Sequence, residues 1–266
     1  VTLPEIRRSY ILQQVENHGS VTVIDLATDL NVSGMTIRRD LMDLEKEGLI
    51  QRVHGGAVST RGRSYEPPYV LRASQSVKAK QYIGALAASL VAEGETIALD
   101  IGSTTLEVAK NLVDRHHLTV LTPSIRIATL FINQSDIRLI LPGGIVRPGE
   151  ASLIGDLTRQ AFQHLFVDRL FLGVGGIDAH FGLSEYNWDD TLVKQAMIKS
   201  AKEIIVVADS SKFGKIAFAH VAPFSSIHKL VTDQLPPEPL LQKLNEYRIK
   251  IFLANVSGNL DQDRQV

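Results

Sequence analysis

Apolar positions in the first 58 residues recur at helical intervals and then at strand intervals. Ile6, Tyr10, Ile11 and Val15 make one stripe, closed by His18-Gly19, so a first helix is expected with that stripe inward. Thr22, with Asp25 three positions on, has the form of a capping box and opens a short helix through Leu26 to Leu30. Asn31-Val32 turns the chain. Ser33 is suited to cap a helix from about Gly34 to Glu47, which Gly48 stops. Leu49 to Val58 alternates around Gly55-Gly56 and predicts a hairpin. Residues 1–58 therefore read as a small winged helix-turn-helix domain.

Residues 59–75, STRGRSYEPPYVLRASQ, are polar, contain Pro67-Pro68 and keep no apolar period, which reads as a linker. Between 76 and 254 the texture changes. Helical stretches (YIGALAASLV, TLEVAKNLV, SIRIATLFI, TRQAFQHL, LVKQAMIKSA) alternate with apolar runs (TIALDI, LTVLT, IRLILPGG, RLFLGVGG, EIIVVAD, IHKLVTD). Apolar strands separated by helices predict an α/β domain with an open, mostly parallel sheet. The tail, 255–266, is polar and expected to fray.

Composition narrows the function classes. Among 266 residues 44% are hydrophobic and none is cysteine, which excludes disulfides, thiol catalysis and cysteine-held metals. No apolar run approaches the ~18 residues of a membrane span, and the charged N-terminus is unlike a signal peptide, so a cytoplasmic protein is expected. Net charge is −1, and residues 1–63 carry eight basic and eight acidic side chains. A nucleic-acid function must rest on where charges sit, not on their sum.

The helix from Gly34 places them suggestively. Ile37, Leu41 and Leu44 share a face that must be buried, which turns Met35, Arg39 and Met42 outward with Thr36 and Arg38 at the flanks. Guanidiniums suit guanine edges and phosphates, and threonine and methionine suit methyl groups and polar edges, so this face fits a major groove. Arg52 and His54, on the hairpin, could meet the backbone as a wing.

Glycine-rich turns at strand ends are the candidate ligand sites. In LDIGSTT the amides from Gly102 onward and the hydroxyls of Ser103, Thr104 and Thr105 could cradle a phosphate at a helix start. LPGGIVR holds Gly143 and Gly144, and FLGVGGID holds Gly175. Lys194 and Lys212 (the latter in VADSSKFG, behind Asp209) could neutralise an anion, and Asp100, Asp178 and Glu185 could accept sugar hydroxyls or serve as caps. No nucleotide-binding spacing occurs, and His116-His117 lacks a third ligand at metal spacing. No catalytic residue, metal or cofactor is expected. Trp188 is assigned no role by the sequence.

The stretch VSGMTIRRDLMDLEKEGLIQRVHGGA (32–57) resembles the signature of the DeoR-type family of bacterial sugar-metabolism regulators, and the likeness extends to about Leu253. The resemblance implies DNA contact through Ser33, Met35, Thr36, Arg38 and Arg39, with Arg52 and His54 in the wing. Met35 stands where the family varies, a place for operator preference. The C-terminal pattern DIGSTT, PGG, GVGGID, ADSSKFG resembles that family's effector domain, itself akin to ribose-5-phosphate isomerase. Where the family commonly has threonine-asparagine-serine, this chain has Thr122-Pro123-Ser124. Val193 stands where the isomerases carry their glutamate base, and valine moves no proton. The resemblance thus implies a sugar-phosphate pocket without the chemistry: a repressor of a carbohydrate-utilisation operon that binds double-stranded operator DNA as a dimer or tetramer. The alternative is a sugar-phosphate isomerase-like enzyme with an appended DNA-binding module.

Overall fold

The computed structural model describes residues 3–18, 20–58 and 62–254. The tail 255–266, the helix stop at Gly19 and linker residues 59–61 lie outside the described residues. The chain divides between Tyr65 and Glu66 into two compact units.

The first unit contains α1 (Pro4–His18), β1 (Ser20–Thr22), α2 (Val23–Asp29), α3 (Gly34–Lys46), β2 (Gln51–Val53) and β3 (Gly56–Val58). Thr22 and Ser33 cap α2 and α3, each accepting the amide three residues on. Ile11, Val15, Leu26, Ile37, Leu41 and Leu44 close one core. The hairpin is present, and β1, too short to show alternation, pairs with it to give an antiparallel order β1-β3-β2. Gly55 takes φ +85° in the turn, and a Cβ on Gly56 would lie 1.9 Å from the Val21 carbonyl oxygen. Only glycine admits β1 so close to the hairpin.

One expectation fails in α1. Ile6 is 58% exposed, and its neighbour Arg7 is buried instead. The cause lies on α3, where Asp40 is also buried and accepts from both Arg7 Nε and Arg7 Nη2, the latter at 3.0 Å. A bidentate guanidinium–carboxylate pair sets the rotation of α1 on α3.

The second unit begins earlier than expected. The C-terminal part of the presumed linker folds, giving α4 (Tyr69–Ser74), because Arg72 is ion-paired to Glu66 and Glu150. There follow α5 (Val77–Ser89), β4 (Thr96–Leu99), α6 (Ser103–Lys110), β5 (Leu118–Leu121), α7 (Ile125–Phe131), β6 (Ile137–Ile140), β7 (Ile145–Arg147), β8 (Ser152–Ile154), α8 (Asp156–Gln163) and β9 (Val167–Leu172). The chain continues through β10 (Gly176–Asp178), β11 (Gly182–Glu185), α9 (Trp188–Ser200), β12 (Ala201–Val207), β13 (Ala219–Ala222), β14 (Lys229–Thr232), α10 (Glu238–Glu246) and β15 (Lys250–Leu253).

Seven strands form the expected parallel sheet, in the order β15-β14-β12-β9-β4-β5-β6. Alternate strand residues feed two cores: Ile204 and Val206 pack with α9 and α10 residues such as Met197 and Leu244, while Ile205 and Val207 join Ile83 and Val108 of α5 and α6. From β4 the chain runs outward to β6, then returns to lay β9 on the other side of β4. That reversal opens a crevice at the carboxyl ends of β4 and β9, where open α/β sheets hold ligands. The antiparallel sheet β10-β11-β13 and the hairpin β7-β8 were not legible in the sequence, since each strand has only three or four residues.

Removing one member of a buried ion pair costs roughly 3–5 kcal/mol. Asp40→Ala should therefore lower the unfolding free energy of the first unit, read from denaturant titration, by that order. Arg7→Met combined with Asp40→Leu, which removes both charges, should recover most of it in the same measurement.

Candidate nucleic-acid interface and ligand cleft

The exposed surface of α3 is divided. Towards its C-terminus acid meets base: Arg8 lies 3.6 Å from Glu47 and 4.0 Å from Asp43. Glu45 accepts the Arg52 amide at 2.9 Å and pairs with the Arg52 guanidinium at 3.6 Å. Towards the N-terminus Arg38 and Arg39 are exposed, and among the described residues neither is ion-paired. Met35 is 73% exposed beside them, and Ser33 and Thr36 are joined by a 2.9 Å hydroxyl contact. Ser33, Met35, Thr36, Arg38 and Arg39 are thus gathered on one helix end, as expected. His54 is exposed on the hairpin, whereas Arg52 is held back against α3 by Glu45.

In the second unit a cleft of about 600 Å³ of empty space, partly open to solvent, lies over the β4/β9 crevice. Gly102, Ser103, Thr104 and Thr105 line it at the start of α6, and Gly175, Glu185 and Lys212 line it from the far side. No side chain caps α6, so its first amides face the cleft without intrahelical partners. Gly173 is required by space, since an added Cβ would meet the Ile101 carbonyl oxygen at 2.8 Å, and a Cβ on Gly175 would crowd Glu185 Oε1 at 2.9 Å.

Asp100 and Lys194 are fully buried, away from the lining. The Lys194 ammonium is ion-paired to Asp100, donates to the Gly173 carbonyl at 3.0 Å and lies 3.4 Å from Glu185. Burial would strip its proton, but Asp100 and Glu185 outweigh burial and raise its pKa. Burial pushes the Asp100 carboxyl up while Lys194 draws it back. The ionised pair is the form the contacts select, since Gly173 N also donates to Asp100 Oδ2 at 3.0 Å. The pair braces the crevice from beneath instead of reaching into it.

Three other expected ligand residues are placed elsewhere. Gly143 and Gly144 follow the edge strand β6, two strands away from β4. There Thr158 Oγ1 donates to the Gly143 carbonyl at 2.7 Å and leaves no room for a Cβ on Gly144. Asp178 accepts the amides of His180 and Phe181 and closes the β10–β11 turn. Thr122 and Ser124 are buried as well, Ser124 capping α7. Val193 packs in the core beside Met197.

Four charged residues of the cleft went unrecognised in the sequence: Glu66, Arg72, Lys80 and Glu150. Lys80 donates to the carbonyls of Arg72 and Gln75, and burial lowers its pKa to about 8. Arg72 is shared by Glu66, at 2.8 Å, and Glu150. Arg147 spans Glu66 at 3.0 Å and Asp190 at 2.6 Å. Burial pushes the Glu150 carboxyl up to about 7 against the pull of Arg72, and Asp190 up to about 6 against that of Arg147. Nothing in the local sequence marks these residues, whose partners are as many as 78 positions away.

His116 and His117 lie exposed against Asp136 and Glu93, and no cluster suited to a metal occurs among the described residues. Within the same residues no helix is long and apolar enough to cross a membrane.

Residues 7–62 match the family described as the DeoR-like helix-turn-helix domain, and residues 75–234 match the DeoR C terminal sensor domain. The chain is 31% identical to the glycerol-3-phosphate regulon repressor of Escherichia coli (strain K12), across 93% of its own length and 98% of the repressor's. It is 32% identical to the putative aga operon transcriptional repressor of Escherichia coli O157:H7, across 96% and 95% of the two chains. Among solved structures, ribose 5-phosphate isomerase A from Methanocaldococcus jannaschii is similar at 20% identity and TM-score 0.39, over 52% of this chain and 55% of that one.

A carboxyl whose pKa is raised by folding stabilises below its unfolded value and loses that contribution as pH climbs through the folded one. For Glu150 and Asp190 the window runs from about pH 4 to about pH 7. The melting temperature should fall between pH 5 and pH 8, and Glu150→Gln should flatten that fall.

Proposed function

Since the chain belongs to the DeoR family of transcriptional regulators, we propose that α3 enters the major groove of operator DNA and that the β4/β9 cleft takes a phosphorylated sugar that controls repression. The observation carrying the first part is the pair Arg38–Arg39, exposed and unpaired among the described residues on the opening turns of α3. Arg38 or Arg39 reads a guanine edge or grips phosphate, Thr36 and Met35 meet methyl and polar edges, and the Ser33 end docks on the backbone. Arg52 serves the wing by holding it to α3, and His54 is the wing residue free to reach DNA.

For the cleft, the support is its mixed charge. Amides at the start of α6, Lys80 and Lys212 provide for an anion, while Glu150 provides an acceptor for a hydroxyl. One relative is named for a glycerol-3-phosphate regulon and another for the aga operon, and a small phosphorylated carbohydrate fits both halves of the cleft. Ligand binding that favours one arrangement of the chain by ~1–3 kcal/mol would change operator affinity accordingly. Exposed aromatic residues on the second unit, Phe166, Phe181, Trp188 and Phe218, support assembly into a homo-oligomer that multiplies the affinity of two or more small DNA-binding units. The relatives spanning the whole chain are named as regulators, and buried Val193 offers no base for isomerisation.

Arg39→Ala should weaken binding to duplex from the upstream region of the chain's own gene by about tenfold. If Arg39 grips phosphate, the slope of log affinity against log salt should also drop by about 0.9. An unchanged affinity and slope in gel-shift titrations at several salt concentrations would remove α3 from the interface. In the cleft, Lys80 loses its charge as pH passes about 8. Affinity for a sugar phosphate, followed by calorimetry, should decline from pH 7 to pH 9, and Lys80→Arg should hold it level.

A further inference from the structure

Glu150 is unusual among the cleft's carboxylates. Glu185 has spent both oxygens, Oε1 on the Tyr186 amide at 2.8 Å and Oε2 on Lys194. Asp209 accepts the Ser211 amide at 3.0 Å. Glu150 is 4% exposed and lines the cleft, with Oε2 on Arg72, yet its Oε1 is buried with no hydrogen-bond partner among the described residues. An acceptor left unmade in the interior costs about 1–3 kcal/mol, so a ligand that donates to it gains what the free protein forgoes. A phosphate ester, largely dianionic at neutral pH, has no donor to offer there; a sugar hydroxyl has.

The other oxygen of Glu150 leads out of the cleft. Arg72 Nη2 is shared between Glu150 and Glu66, and its Nε donates to the Pro67 carbonyl at 2.9 Å. Glu66 is the first residue after the division between the two units, and Arg147 holds its other oxygen at 3.0 Å. The segment that continues into the DNA-binding unit is therefore tied down by the arginine that Glu150 shares.

We propose that Glu150 accepts a hydroxyl of the phosphorylated ligand, and that Arg72, shared by Glu150 and Glu66, relays this contact to the segment leading to the DNA-binding unit. The proposal rests on the assignment of the cleft to a sugar phosphate. Charge drawn from Glu150 towards the hydroxyl weakens its hold on Arg72 and alters the competition between Glu150 and Glu66. A ligand with phosphate but no hydroxyl occupies the α6 end without engaging the relay. Glu150 is then the residue that separates sugar phosphates from a simple phosphate ester, and Glu66 couples binding to DNA affinity.

The test uses the full chain, calorimetry with sn-glycerol 3-phosphate, ribose 5-phosphate, glucose 6-phosphate and methyl phosphate, and DNA titrations on the upstream duplex with and without each. Glu150→Gln should weaken the best of the three sugar phosphates by about tenfold and leave methyl phosphate within about twofold. Equal weakening of both, or of neither, overturns the hydroxyl contact. Glu66→Gln, compared at ligand concentrations that saturate each protein, should shrink the ligand-driven change in DNA affinity at least threefold. An unchanged coupling at saturation overturns the relay and leaves the cleft assignment standing. If Glu66→Gln does not fold, Glu66→Asp, which keeps the charge but shortens the reach to Arg72, gives the same reading. Failure of the unaltered protein to bind any of the three sugar phosphates overturns the cleft assignment and the relay with it.

Discussion

A lysine ammonium in a parallel sheet's interior is tolerable only where carboxylate and carbonyl oxygens surround it, and Lys194 has Asp100, Glu185 and Gly173. These four residues come from the ends of β4, β9 and β11 and from α9, so the pair joins the strands between which the sheet reverses. Gly173 must lack a side chain because the Ile101 backbone passes beside it, and Glu185 is turned toward the ammonium. The cleft exists where it does because this buried charge fixes its floor. Above it, α6 opens its amides and the Lys80 and Glu150 groups close the rim.

How much of this could be seen in the sequence depended on the range of the interaction. The cap at Ser33 was legible because its partner lies three residues on, and the inward face of α3 because its apolar spacing repeats within two helical turns. The strand-glycine-helix at Gly102 was legible for the same reason. Gly143 and Gly144 likewise stand behind an apolar strand, but that strand is an edge one, and strand order tells the crevice from the edge. That order is set by packing of the whole sheet.

Charged residues inside were the hardest to read. Arg7 is buried at a position where periodicity favoured Ile6, and its partner Asp40 is buried directly beside the outward Arg39. Likewise Glu66 and Arg72 stand in a polar, proline-bearing stretch that resembles a linker until Glu150 and Arg147 are brought across to them. A polar residue's pattern says where water is welcome, and a long-range partner replaces water without leaving a trace in the local pattern.

The uneven dressing of α3 has a further result. Its acidic turns are already answered by Arg8 and Arg52, and the surplus of positive charge is confined to the opening turns. The unit as a whole carries no net attraction for a polyelectrolyte, with eight basic and eight acidic residues before position 64. If α3 docks on DNA as proposed, its hold would come from the arginines of that one helix end and little from the unit's overall charge, so placed contacts and not bulk attraction would sort one duplex from another.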